Sequence, residues 1–240
     1  MGLPILVLGE SGSGKSTSLR NFEKSEVLVL NVADKALPFR KKLNVINLRK
    51  ASYSERYSLI KQYISKYQDK CKTFVIDDSQ FLMSFGMFDR AKEVGYGKFT
   101  DIALDFKNLL DFIQTSTNDD VTVYLFHHVE MGDNGKIKAK TSGKMLDNQM
   151  TLEGLFTIVL MTRAYDGNFK FLTQSDGFDP VKTPLEMFSE KEIDNDLKEV
   201  DKVIREYYEM VNPYIKEESK WWIYLKLIIR LKTLNLSLMN

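Results

Sequence analysis

The chain has 240 residues, of which 43% are hydrophobic, enough for a substantial core and a length that suits one domain, or one domain with an appendage. Lys and Arg total 34 against 33 Asp and Glu, so the net charge of +1 favours neither nucleic acid nor any other charged partner, and a basic surface would have to be local. The single cysteine, Cys71, excludes an intrachain disulfide and fits a reducing cytoplasm.

The N-terminus lacks a basic segment followed by an apolar one, so no signal peptide is expected. Leu3 to Leu8 is an apolar run ending at Gly9 and is expected to be a buried parallel strand, with Ser16 to Phe22 opening a helix. Further strands are expected at Val27 to Val32, Val45 to Leu48 and Thr73 to Ile76. Tyr53 to Tyr67 carries Tyr53, Tyr57, Ile60, Ile64 and Tyr67 at helical spacing.

Phe81 to Gly97 is expected to hold a helix with a loose end. Thr100 to Thr115 predicts a helix capped by Thr100, with Ile102, Phe106, Leu109, Leu110 and Ile113 as its apolar stripe. Val121 to Phe126 is a strand ending at His127 and His128, and Val129 to Met150 is expected to be a long loop. Strands at Phe156 to Thr162 and Phe169 to Thr173 flank the turn signal Asp166-Gly167, and Glu190 to Val211 is expected to be a charged amphipathic helix. Trp221 to Leu231 is apolar but is interrupted by Lys226 and Arg230 and falls short of the roughly 20 residues of a spanning helix, so no membrane role is expected.

This alternation implies an α/β fold with a mainly parallel sheet flanked by helices and a late antiparallel hairpin. The expected division is a core over residues 1–188 and a helical C-terminal appendage over residues 189–240.

Two motifs carry the chemistry. Gly9-Glu10-Ser11-Gly12-Ser13-Gly14-Lys15-Ser16 fits GxxxxGK[S/T] in full, after a strand and before a helix. Its glycines let backbone N–H groups turn onto phosphate oxygens, and the helix start adds positive potential. Lys15 would reach the β- and γ-phosphates and Ser16 would bind Mg²⁺, with Thr17 completing the nucleotide-binding stretch. Phe74-Val75-Ile76-Asp77-Asp78 is an apolar strand ending in two carboxylates, where Asp77 suits the Walker B role of holding Mg²⁺. About 60 residues and one intervening strand separate the motifs, which suits a RecA-like order.

The group that activates water is open between Asp78 and Asp34, each one methylene shorter than the usual glutamate. His127 or His128, at the end of the fourth strand, could sense the γ-phosphate, while a metal site there lacks further ligands. Lys136, Lys138, Lys140 and Lys144 fall within nine residues that contain no acid. They could contact single-stranded DNA, or one could reach a neighbouring subunit's nucleotide.

Together GESGSGKS, LNVADKALPF, VIDDSQFLM, GYGKFTDIA, VYLFHHVEMGDNGKIKAKTSGKMLDNQMTLEGLFTIVL and LTQSDGFDPVKTPLEMF resemble the RecA-core, AAA-type ATPases of tailed bacteriophages, some of which are single-strand-annealing recombination proteins. The resemblance spans about residues 3 to 190. It implies ATP with Mg²⁺, single-stranded DNA, a single-strand-binding protein as a further partner, homo-oligomerisation, and a phage protein working in bacterial cytoplasm. Gly9 through Ser16 match Walker A, Asp77 Walker B, His127 and His128 the strand-end polar pair, and Lys138, Lys140 and Lys144 the basic loop. From about Pro213 onward no family pattern is evident. Two other functions stay open: a kinase-type phosphotransferase, for which Arg163 is the one suitably placed arginine, and a module that binds ATP without hydrolysis.

Overall fold

The computed structural model describes residues 1–132, 134–141 and 151–214. Ten strands form two sheets. Leu3–Leu8 (β1), Val27–Asn31 (β2), Asn44–Asn47 (β3), Thr73–Asp77 (β4), Thr122–His127 (β5), Ile158–Tyr165 (β8), Asn168–Leu172 (β9) and Glu192–Asp194 (β10) make an eight-stranded sheet in the order β10-β9-β8-β1-β5-β4-β2-β3. Val129–Met131 (β6) and Ile137–Ala139 (β7) form a separate antiparallel hairpin. β8, β1, β5, β4, β2 and β3 are all parallel, and β9 and β10 add antiparallel strands at one edge. β5 lies between the strand that feeds the glycine loop and the strand that ends in Asp77. That insertion is the strand order of a RecA-like P-loop core.

The parallel strands read as unbroken apolar runs because both their faces are covered. Leu6, Leu8, Leu28, Leu30, Phe74, Ile76, Val123 and Leu125 meet the helices Tyr53–Tyr67 (α1), Gln80–Asp89 (α2) and Gly97–Ser116 (α3) in one buried cluster. The alternate residues Ile5, Val7, Val29, Val75 and Tyr124 are equally buried on the opposite face, following the two-residue period of a strand. Helix Leu197–Tyr207 (α4) covers that face, and its Asp201 accepts a hydrogen bond from Tyr124 Oη at 2.6 Å.

Local chemistry sets the helix starts. In α1 the Glu55 carboxylate accepts the Ser52 backbone N–H at 2.8 Å, half of a capping box. In α4 Asp196 accepts the N–H of Lys198 at 3.0 Å and of Glu199 at 3.4 Å. The β8–β9 turn places Asp166 at φ 45° and Gly167 at φ 79°, as a type I′ turn requires.

Several expectations change. Thr100 lies inside α3, which begins at Gly97; Lys98 Nζ reaches back to the Glu93 carbonyl at 3.0 Å and secures that earlier start. The loop expected after residue 128 contains the β6–β7 hairpin, whose Val129, Ile137 and Ala139 pack on the core. Ser16–Asn21 is a single 3-10 turn and not an α-helix, with Ser18 Oγ donating to the Lys15 carbonyl at 2.6 Å and competing for an oxygen the helix would use.

Ile193 belongs to β10, because Asp196 starts the helix only at Leu197. Met1–Met210 forms one compact unit, which includes β10 and α4, both assigned by sequence to the appendage from residue 189. The second unit spans Val211–Asn240, and Trp221 to Leu231 lies outside the described residues. No described helix is long and apolar enough to cross a membrane.

At the foot of the sheet Asp201 and Arg205 are fully buried and paired at 2.6 Å. Thr73 and Thr122 also donate to Asp201, at 3.1 and 2.8 Å, while Arg205 reaches the carbonyls of Asp120 and Lys72 at 2.8 and 2.9 Å. Removing one charge of such a pair leaves the other uncompensated in the interior. Arg205→Met is therefore expected to destabilise the protein by about 3–5 kcal/mol in urea unfolding followed by circular dichroism, and a loss below about 1 kcal/mol would contradict this role for the pair.

Candidate nucleotide-binding site

Parallel pairing brings four strand ends to one edge of the sheet. Leu8 registers with His127 and Asn31 with Asp77, so the glycine loop, the Asp77-Asp78 pair and the two histidines emerge together. One cavity there is lined by Ser11, Gly12, Gly14, Lys15, Ser16, Thr17, Lys35, Ala36, Pro38, Asp77, Asp78 and His128. A second opens on the β8 side of the same loop, between Gly9 to Ser13 and Met161 to Tyr165.

The loop is closely fitted. Gly12 and Gly14 have φ of 78° and 103°, which favour glycine. A Cβ on Gly14 would lie 2.7 Å from the Phe169 ring, and one on Gly9 would lie 2.2 Å from Thr162 Oγ1. Ser13 Oγ and Thr162 Oγ1 share a hydrogen bond at 2.6 Å, which ties the loop to β8. Because the following helix is only a 3-10 turn, attraction for phosphate rests on the loop's N–H groups and on Lys15 more than on a helix dipole.

Lys15 Nζ donates to the carbonyls of Gly9 at 2.7 Å and Glu10 at 2.8 Å. Burial lowers its pKa to about 8, partly offset by the charges of Asp78 and Asp77. A polyphosphate would restore the charged form. Ser16 Oγ donates to both Asp77 oxygens, at 3.0 and 3.1 Å, so the two expected Mg²⁺ ligands touch across 61 residues of sequence. Burial, and then the charge of Asp78, push the Asp77 carboxyl up to about 6. A divalent cation beside this carboxylate would relieve that cost, so the residues fit Mg²⁺. No group of three or more His, Cys, Asp or Glu able to hold a metal occurs among the described residues, so Mg²⁺ would depend on Ser16, Asp77, water and the nucleotide's own oxygens.

Asp78 sits beside this pair. Its Oδ2 meets Lys35 Nζ at 2.7 Å and its Oδ1 meets His128 Nε2 at 3.2 Å. Burial alone would raise its pKa, but the hydrogen bonds from His128 and Lys35 together bring it below the usual carboxylate value. Asp34 has φ 60° and is not among the residues lining the cavity.

His127 does not line the cavity either; it is fully buried, and His128 takes the position there. His127 Nε2 lies 2.7 Å from the Lys140 carbonyl, so that nitrogen carries the proton, and Nδ1 accepts from Ser79 Oγ at 2.9 Å. Burial pushes its pKa down to about 4, which keeps the ring neutral. Both ring nitrogens are committed to protein partners, so His127 cannot contact phosphate without breaking one of them.

Of the basic residues, Lys136 and Lys140 are exposed, and Lys138 pairs with Glu130 across the hairpin at 3.1 Å. Lys144 lies outside the described residues. Arg163 lies 3.6 Å from both Asp176 and Asp179. Sequence reasoning missed Thr162, Phe169 and the role of Lys35. Only Lys35 carried a signal, its place just after a strand end.

The strand order and the loop define a P-loop nucleotide-binding core of RecA-like type. No family model and no curated protein matches the chain. Among solved structures the ATPase domain of a replicative helicase is similar at 12% identity and a TM-score of 0.42, over 71% of this chain and 75% of that one.

The raised pKa of Asp77 predicts a pH effect. Below about pH 6 the carboxyl is protonated and must lose that proton to hold a metal. The advantage of wild type over Asp77→Asn in Mg²⁺-nucleotide affinity should be constant above about pH 7 and shrink roughly tenfold per unit below about pH 6, as expected for one displaced proton. The nucleotide's own titration cancels in that ratio. A ratio unchanged between about pH 5 and 8 would remove Asp77 from the metal shell.

Proposed function

We propose that the protein is a Mg²⁺-dependent ATPase that acts on single-stranded DNA in phage recombination or replication. The observation that carries the reading is the Ser16–Asp77 contact beside Lys15, with an ionised Asp78 in the same cavity. Lys15 and the loop N–H groups hold the β- and γ-phosphates. Mg²⁺, held by Ser16 and Asp77, neutralises charge on the transferring group when bound. Asp78 positions the attacking water, and its place in the cavity favours it over Asp34.

The hairpin supplies the second half of the reading. Ser79, next to Asp78, bonds His127, and His127 bonds the Lys140 carbonyl. The Lys140 N–H also reaches the His128 carbonyl at 2.8 Å. A change at the terminal phosphate therefore has a short bonded route to the strand bearing Lys136, Lys138 and Lys140. These lysines, with Lys144, would touch the DNA backbone. A single-strand-binding protein, a homo-oligomer and the bacterial cytoplasm belong to the same proposal, which rests for them on the sequence resemblance alone.

The test is an ATPase assay with and without single-stranded DNA. Wild type should hydrolyse ATP faster with DNA, and Lys15→Ala should abolish turnover and weaken DNA binding. Changing Lys136, Lys140 and Lys144 together to Ala should lower the slope of log affinity against log salt by about 0.7 for each DNA phosphate that is no longer neutralised. An unaltered slope and affinity would take the DNA away from this hairpin, whereas absent Mg²⁺-ATP binding would overturn the reading entirely.

A further inference from the structure

A buried amide at the end of β2 fixes a lysine at the mouth of the phosphate cavity. Asn31 is 2% exposed and registers with Asp77. Its Nδ2 donates to the Lys35 carbonyl at 2.7 Å, and its Oδ1 accepts the Asp34 N–H at 2.9 Å. Asp34 takes the left-handed conformation, φ 60°, that this tight turn needs. One side chain thus grips the turn from both ends and sets the point from which Lys35 reaches out.

Lys35 Nζ lies 2.7 Å from Asp78 and 5.2 Å from the centre of the Phe81 ring. Its side chain is 57% exposed, so water competes for the ammonium and the bond to Asp78 is exchangeable. Asp78, at 9%, keeps a second partner in His128. Lys15 and Lys35 stand against Asp77 and Asp78 in one cavity. That balance leaves no spare positive charge for a triphosphate, which remains anionic even with a divalent cation bound. A cation must therefore change partner when the triphosphate enters, and Lys35 is the one held most loosely.

Building on the nucleotide reading above, we propose that Lys35 recognises the terminal phosphate: it leaves Asp78 for the γ-phosphate oxygens, while His128 keeps Asp78 oriented. A nucleoside diphosphate lacks that phosphate and leaves the Lys35–Asp78 pair in place. Lys35 is thereby the residue by which the site separates the triphosphate from the diphosphate.

Calorimetric titration of full-length wild type, Lys35→Ala and Lys35→Arg with Mg²⁺-ADP and with a non-hydrolysable Mg²⁺-ATP analogue tests this. Lys35→Ala should lose about tenfold or more in affinity for the analogue and less than about twofold for ADP, the size of one charge-assisted hydrogen bond. Lys35→Arg should keep most of the preference. Equal losses for both nucleotides, or none for either, would overturn the assignment of Lys35 while leaving the phosphate site intact. Failure of wild type to bind either nucleotide would overturn the phosphate site and Lys35 with it.

Discussion

A hydroxyl at one strand end and a carboxylate at another meet at 3.0 Å, and the arrangement of the site depends on that meeting. Ser16 follows β1 and Asp77 closes β4, yet these strands are not neighbours; β5 lies between them. Only a parallel sheet with every strand pointing the same way can deliver both groups to one edge across an intervening strand. The unbroken burial of β1, β4 and β5 maintains that arrangement, because a register slip would displace each apolar side chain from its covered face.

The cavity concentrates charges that would each be costly alone. Burial lowers Lys15 and raises Asp77, so each drifts toward its neutral form. Asp78 escapes that drift through Lys35 and His128. The result is a site whose natural complement is an anion carrying a divalent cation. The loop is held to β8 by Ser13 and Thr162 and is closed against β9 by Phe169, so its shape is set by the protein's own packing.

The antiparallel edge and the hairpin answer a different need. β10 and α4 return the chain to the sheet, and the buried Asp201–Arg205 pair fastens α4 over the face opposite α1 to α3. At the other end of the strands, His127 is as buried as any core residue but is used as a bridge, joining the loop after Asp77 to the end of β7. A histidine held neutral in this way gives a rigid link and not a titrating one.

The amino-acid sequence by itself determined the glycine loop, the Walker B carboxylate, the apolar strands and the stripe of α3. Each is a local pattern whose physical cause lies within a few residues: φ freedom at glycine, apolar runs, helical spacing. It also placed the β8–β9 turn, since Asp166-Gly167 has few other uses. Only the tertiary structure decided what depends on distant partners. Ile193 fits a helical stripe, yet it lies in a strand because β9 offers it an edge. Val129, Ile137 and Ala139 fold a basic stretch into a hairpin because the core accepts their side chains. His127 and His128 are indistinguishable in sequence, and packing alone buries the first and leaves the second beside Asp78. Thr162 meets Ser13 across 149 residues, and Lys35 meets Asp78 across a comparable gap in the chain, distances over which no local pattern carries information.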